Sequence, residues 1–154
     1  MGTNYYFMLD KRNEIIEAVK NNDFYTAKEL MDASEIHICK CSMGWLPLFQ
    51  AHKGKFNSIV EMKKFYDANT PIIKNEYGEE FTWEQFSDKV ICHNGGYKGA
   101  IKPKKIKRDK TLPFYDSNMP DHIPVSHFEY ANGAYSSRYF KDPQGYEFTY
   151  EEFS

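Results

Sequence analysis

No run of this chain is apolar and long enough to reach across a bilayer, and its N-terminus lacks the apolar centre of a secretory signal. A membrane-embedded or exported role is therefore not expected. Cysteine is scarce: three residues in 154, an odd number, with no Cys-x-x-Cys pair. That excludes a disulfide scaffold and fits reduced thiols. An excess of one charge is missing too, because 20 Lys and Arg against 22 Asp and Glu leave a formal net charge of −2. Contact with nucleic acid or lipid would have to come from a local patch. The sequence has no Walker loop, no dinucleotide-binding glycine fingerprint, and no HExxH or GxSxG pattern. Turnover chemistry loses its usual footholds, and no cofactor is expected.

What the chain has is aromatic rings. Twelve Tyr, twelve Phe and two Trp make up 17% of the residues, while aliphatic residues are sparse. A core built from them is aromatic-rich, and the tyrosines left over serve as rigid, amphipathic surface contacts. The length fits one domain, residues 1–154, with one core.

The chain is organised around residues 35–52. Ile36 and Ile38 alternate with Glu35, His37, Cys39 and Cys41, a period of two that predicts a β-strand. His37, Cys39 and Cys41 are then expected on one face. Met43-Gly44 reads as a turn and Trp45 to Phe49 as a second strand, which Pro47 assigns to a sheet edge or a bulge.

Met1-Gly2-Thr3-Asn4-Tyr5-Tyr6, with His37-Ile38-Cys39-Lys40-Cys41-Ser42-Met43-Gly44-Trp45 and Asn75 to Phe86, resembles a family of small, uncharacterised tailed-phage proteins. That family opens MGTNYY and carries an HIGKSSAGW-like segment. Many of its members place a Cys-x-x-Cys pair before that segment, whereas residues 10–34 here hold no cysteine, and Cys39 and Cys41 replace Gly and Ser. No metal site carries over. The resemblance implies a phage accessory protein in the cytoplasm of an infected bacterial host, interfering with a host process or defence system.

Thr3 to Leu9 reads as a first strand. Asp10 and Asp23 are placed to cap two short helices, one with Ile15, Ile16 and Val19 on a face, the other with Phe24, Ala27, Leu30 and Met31 at helical spacing. They make an αα-hairpin between the first two strands. Ser58 to Glu61 and Thr82 to Gln85 match capping boxes. The first opens a helix to about Ala68, with Val60, Met62, Phe65 and Tyr66 on its apolar side; the second opens one that buries Trp83, Phe86 and Val90. Pro71-Ile72-Ile73 is a short strand, and Asn75 to Gly78 is its turn. His127 to Phe140 reads as a hairpin turning at Asn132-Gly133, and Asp142 to Gly145 turns into the strand Tyr146-Glu147-Phe148, an antiparallel meander.

An internal echo accompanies these elements. Gly78 to Ser87 and Gly145 to Ser154 share seven residues in ten. A shared local solution accounts for it: a turn, a short strand, then Thr capping a helix start. A duplicated partner-binding element is the sharper alternative. Too few residues follow Thr149 for a full second helix.

Three sets of residues carry candidate chemistry. His37, Cys39 and Cys41, with Cys92 and His93, are the candidate metal ligands, although Cys-x-Cys within one strand is not the knuckle that closes a tetrahedral zinc site. Cys92-His93 beside Asn94-Gly95-Gly96 suggests a thiol nucleophile, with no third residue to orient the base. A loop of about 93–126 carries Lys98, Lys102, Lys104, Lys105, Lys107, Arg108 and Lys110 near Tyr97, Phe114 and Tyr115. Such a loop tracks a phosphate backbone, or takes a small nucleotide with rings on the base and amides on the phosphate.

The expectation is a single α+β domain, an antiparallel or mixed sheet of about five to seven strands with three or four short helices on one side. It acts by stoichiometric binding of a host protein or small nucleotide, without a membrane and with room for a homo-oligomer. The ligand-binding residues are expected to be His37, Trp45, His93, Gly95, Gly96, Tyr97, Lys98, Lys104, Lys105 and Arg108. A nucleic-acid-binding module using residues 98–110 is the alternative, and a metal- or thiol-dependent enzyme the second.

Overall fold

The computed structural model describes residues 2–42, 45–91, 126–130 and 138–153. Seven strands form one mixed sheet: β1 (Gly2–Met8), β2 (Glu35–Ser42), β3 (Leu48–Gln50), β4 (Ile72–Asn75), β5 (Glu80–Phe81), β6 (Phe140–Lys141) and β7 (Glu147–Thr149). Their spatial order is β5-β4-β1-β2-β3-β7-β6, antiparallel except where β3 runs parallel to β7. With the helices α1 (Arg12–Lys20), α2 (Phe24–Ala33), α3 (Ile59–Asn69), α4 (Trp83–Phe86) and α5 (His127–Tyr130), this is a single α+β domain. A π-helical turn, Ser87–Ile91, continues α4. Among the described residues no helix is long and apolar enough to cross a membrane.

The core lies on one face of the sheet. Phe7 is fully buried and meets three rings: Phe65 stacked at 5.9 Å, Phe56 edge-on at 6.0 Å and Tyr66 at 6.0 Å. Tyr5 meets Phe86 at 5.4 Å. The Phe65 and Tyr66 contacts tie β1 to α3 and the Tyr5 contact ties it to α4, and removing such a ring to Ala typically costs about 3–5 kcal/mol.

The helix starts follow local chemistry. The Asp23 and Ser58 side chains accept the N–H groups of Thr26 and Glu61 at 3.1 Å. Thr82 and Gln85 close a full capping box. Asp10 accepts the Arg12 N–H at 3.1 Å and pairs with its guanidinium, which holds the Asp10 carboxyl down to about 2, but the capping position itself is Lys11. At the far end of α3, Thr70 takes a left-handed φ of 44° ahead of Pro71, a strained conformation for a β-branched residue.

Several expectations are corrected. His37 does not share a face with Cys39 and Cys41: Tyr5 pairs with Cys39 but Tyr6 with His37, so Ile38 is an extra, bulged residue. Adjacent strand residues face opposite ways, so the bulge sends His37 to the second face while Cys39 and Cys41 stay in the core. Pro47 precedes the ladder, so β3 needs no N–H from it and lies inside the sheet rather than at an edge. His127 to Tyr130 is a helical turn, not a strand, because the Ser126 hydroxyl accepts the Glu129 N–H at 3.1 Å. The C-terminal strands are not a pure antiparallel meander, since β7 adds in parallel to β3. Val60 faces solvent, and Ile59 and Met62 take the buried side of α3. The Met43-Gly44 and Asn132-Gly133 turns lie outside the described residues.

Candidate ligand-binding surface

The second face of the sheet carries a row of polar side chains that crosses from strand to strand. Glu76, in the turn after β4, accepts the Asn4 backbone N–H at 2.8 Å through Oε1. Asn4 Oδ1 lies 3.0 Å from His37 Nε2, and His37 Nδ1 lies 3.4 Å from Gln50 Oε1. The Gln50 amide then donates to the carbonyls of Thr149 at 3.1 Å and Glu151 at 2.9 Å. The row exists because β1, β2, β3 and β7 are adjacent: Asn4, His37 and Gln50 reach one another diagonally across neighbouring strands, and the row ends on the main-chain carbonyls of Thr149 and Glu151. Phe153 closes over it, its ring meeting His37 edge-on at 4.7 Å.

Burial lowers the His37 pKa, with the Gln50 contact opposing, so the imidazole is neutral near pH 7. His52 is also lowered by burial and donates from Nε2 to the His37 carbonyl at 2.7 Å. A neutral imidazole carries one N–H and donates to only one of the two amide oxygens it faces, Asn4 Oδ1 or Gln50 Oε1. The row holds residues 150–153 against the sheet.

A second group is more open. Trp45 stacks on His127 with centroids 4.7 Å apart, Tyr130 meets Trp45 edge-on at 5.3 Å, and Tyr139 lies 5.9 Å from His127. Tyr130 is 76% exposed. The group is anchored through Glu147, which is 1% exposed and accepts the Ser126 hydroxyl and, at 2.7 Å, the His127 N–H. Burial raises the Glu147 pKa, against those hydrogen bonds and the charge of Lys141. His127 is lowered by burial and donates from Nε2 to the Leu46 carbonyl at 3.1 Å, which fixes the ring flat against Trp45. Ser126, His127 and Glu147 do not form a nucleophile, base and orienter, because Ser126 donates directly to the carboxylate and His127 turns to Leu46.

Of the expected site residues, His37 and Trp45 fall in these two separate groups, His37 in the polar row and Trp45 in the ring group. Cys39 and Cys41 lie in the core with sulfurs 3.9 Å apart, and burial pushes the Cys39 thiol up, away from nucleophilic character. Among the described residues no group of three or more His, Cys, Asp or Glu is placed to hold a metal ion. Cys92, His93, Gly95, Gly96, Tyr97, Lys98, Lys104, Lys105 and Arg108 lie outside the described residues. His127, Tyr130, Tyr139 and Glu147 were not anticipated. Ser126-His127-Phe128-Glu129 carries the Ser-x-x-Glu helix-start pattern that would have found the first two, but nothing local marks Glu147 as buried. Comparison with protein-family models, with curated proteins and with solved structures finds no match.

Proposed function

We propose that the protein is a phage accessory factor that works by holding a partner rather than by turnover, and that the rings of Trp45, Tyr130 and Tyr139 meet that partner. The observation that carries this reading is the open ring group, set on a buried carboxylate that fixes its position. Rigid rings lose little entropy on binding, and a stacked base or side chain is worth roughly 1–3 kcal/mol per ring. In the sequence, the lysine-rich stretch 98–110 precedes Ser126 on the same connection. Rings for a base and lysines for phosphate favour a small nucleotide over a host protein as the ligand.

Tagged protein expressed in host cells and analysed by mass spectrometry tests this. The expected result is a nucleotide released on heating, with binding weakened at least tenfold by Trp45→Ala or Tyr130→Ala. Unchanged capture by the double variant would sink the reading, and capture of a protein without any nucleotide would change the ligand class. The seven basic residues between 98 and 110 support a nucleic-acid module as a second reading. A gel shift at low salt that is lost on charge reversal of Lys104, Lys105 and Lys107 is its signature.

A further inference from the structure

The open ring group holds one polar atom that the fold leaves unused. A carbonyl only accepts, so the His127 contact with the Leu46 carbonyl at 3.1 Å puts the proton of the neutral imidazole on Nε2. Nδ1 is then a bare acceptor. Among the described residues nothing donates to it, and it is not one of the polar atoms sealed from solvent. Burial lowers the His127 pKa, so this lone pair stays free near pH 7.

An imidazole nitrogen accepts in the plane of its own ring. A flat group that donates to Nδ1 therefore lies edge to edge with the imidazole and level with it. Trp45 is tilted only 25° from that plane, with centroids 4.7 Å apart, wider than the roughly 3.5 Å of direct face contact, so the two rings are offset. The offset leaves part of the larger indole uncovered by the imidazole, and Trp45 is only half-buried. That part is a shelf for a ring level with His127. What the ring must carry follows from the acceptor: an N–H is drawn to Nδ1, whereas a carbonyl oxygen sets its lone pairs against it. Adenine and cytosine put an amino group where hypoxanthine and uracil put a carbonyl, so each pair differs in the group that such an acceptor reads.

We propose that His127 Nδ1 is the specificity contact of the ring site and selects a nucleotide whose base carries an exocyclic amino group, adenine or cytosine, over its carbonyl counterpart. This rests on the nucleotide reading above and narrows it. Isothermal titration calorimetry on the full chain with the monophosphates of adenosine, inosine, cytidine and uridine tests it. Adenosine monophosphate is expected to bind about tenfold more tightly than inosine monophosphate, and cytidine monophosphate about tenfold more tightly than uridine monophosphate. His127→Phe keeps a ring against Trp45 and removes the acceptor, so it is expected to erase both preferences. Adenosine monophosphate dimethylated at its amino nitrogen has no hydrogen to donate there, and it probes the same contact without altering the protein. It is expected to bind as weakly as inosine monophosphate. Equal binding within each pair, a preference that survives His127→Phe, or undiminished binding of the dimethylated compound overturns the proposal, and the ring site itself still stands where Trp45→Ala weakens binding. Binding indifferent to Trp45→Ala, or no binding of any of the four, removes the nucleotide reading and this proposal with it.

Discussion

Residues 78–86 and 145–153 have nearly the same sequence and open on the same turn, yet one copy lies on the rim of the sheet and the other inside it. In both, a glycine takes a left-handed φ, 83° at Gly78 and 92° at Gly145. Its N–H returns to the carbonyl three residues back, Asn75 at 3.1 Å and Asp142 at 2.9 Å. In both, the side chain of that residue accepts two further backbone N–H groups: Asn75 takes Tyr77 and Glu79, and Asp142 takes Gln144 and Tyr146. The copies part at the strand. β5 has one neighbour, β4, whereas β7 lies between β3 and β6. Glu80 is accordingly exposed and Phe81 half-buried, while Glu147 and Phe148 are buried. Thr82 goes on to cap α4; Thr149 spends its hydroxyl on the Arg138 carbonyl at 2.7 Å, and the residues after it run across Gln50 and His37. A sequence of this kind specifies its turn and leaves its depth to its neighbours.

The widest gap is expected at the strand phenylalanines. Phe148→Ala should cost about 3–5 kcal/mol, as for a fully buried ring, and Phe81→Ala roughly half of that, measured by urea unfolding. Equal costs would break the contrast between rim and interior. Next, Asp142→Ala should cost about 2–3 kcal/mol, because its second oxygen also accepts the buried Ile59 N–H at 2.9 Å and so holds the start of α3. Asn75→Ala removes turn bonds alone and should cost about 1 kcal/mol less.

A smaller effect sharpens the likeness rather than the difference. Gly78→Ala should cost about 1–2 kcal/mol from backbone strain, since nothing lies within 4 Å of the added methyl. Gly145→Ala should cost at least as much, because that position is buried. The smallest effect is a slope. The Glu147 pKa is raised in the fold, so its contribution to stability is fully present below the ordinary carboxylate value and is lost as pH rises through the folded value. Glu147→Gln should remove that loss from the pH dependence of the melting temperature. His37, His52 and His127 act in the opposite sense, their lowered values giving stability that is present above the ordinary histidine value and lost on acidification.

The legible parts of this protein are short in sequence. The caps at Asp23, Ser58 and Thr82 and the turn at Asn75 were readable because donor and acceptor lie within four residues of each other. His37 was read as a site residue and does sit in a built group, but beside Asn4 and Gln50 rather than the cysteines, because the bulge at Ile38 leaves no mark in an alternating pattern. Trp45 was read as a ligand-binding residue on the second strand; it lies half-buried ahead of β3, and its stacking partner, His127, lies far along the chain. The apolar spacing of α1 and α2 predicted a packed face, and much of it is exposed.

From the sequence alone came the strands of the centre, the places where helices begin and the two equivalent turns, since each rests on atoms that the chain brings together within a turn or two. The fold decided the rest: which face His37 looks to, how deep Glu147 lies, and that β7 joins β3 in parallel. Those outcomes depend on pairings such as Gln50 with Thr149, 99 residues apart, whose free energy comes from neighbours that no local pattern names.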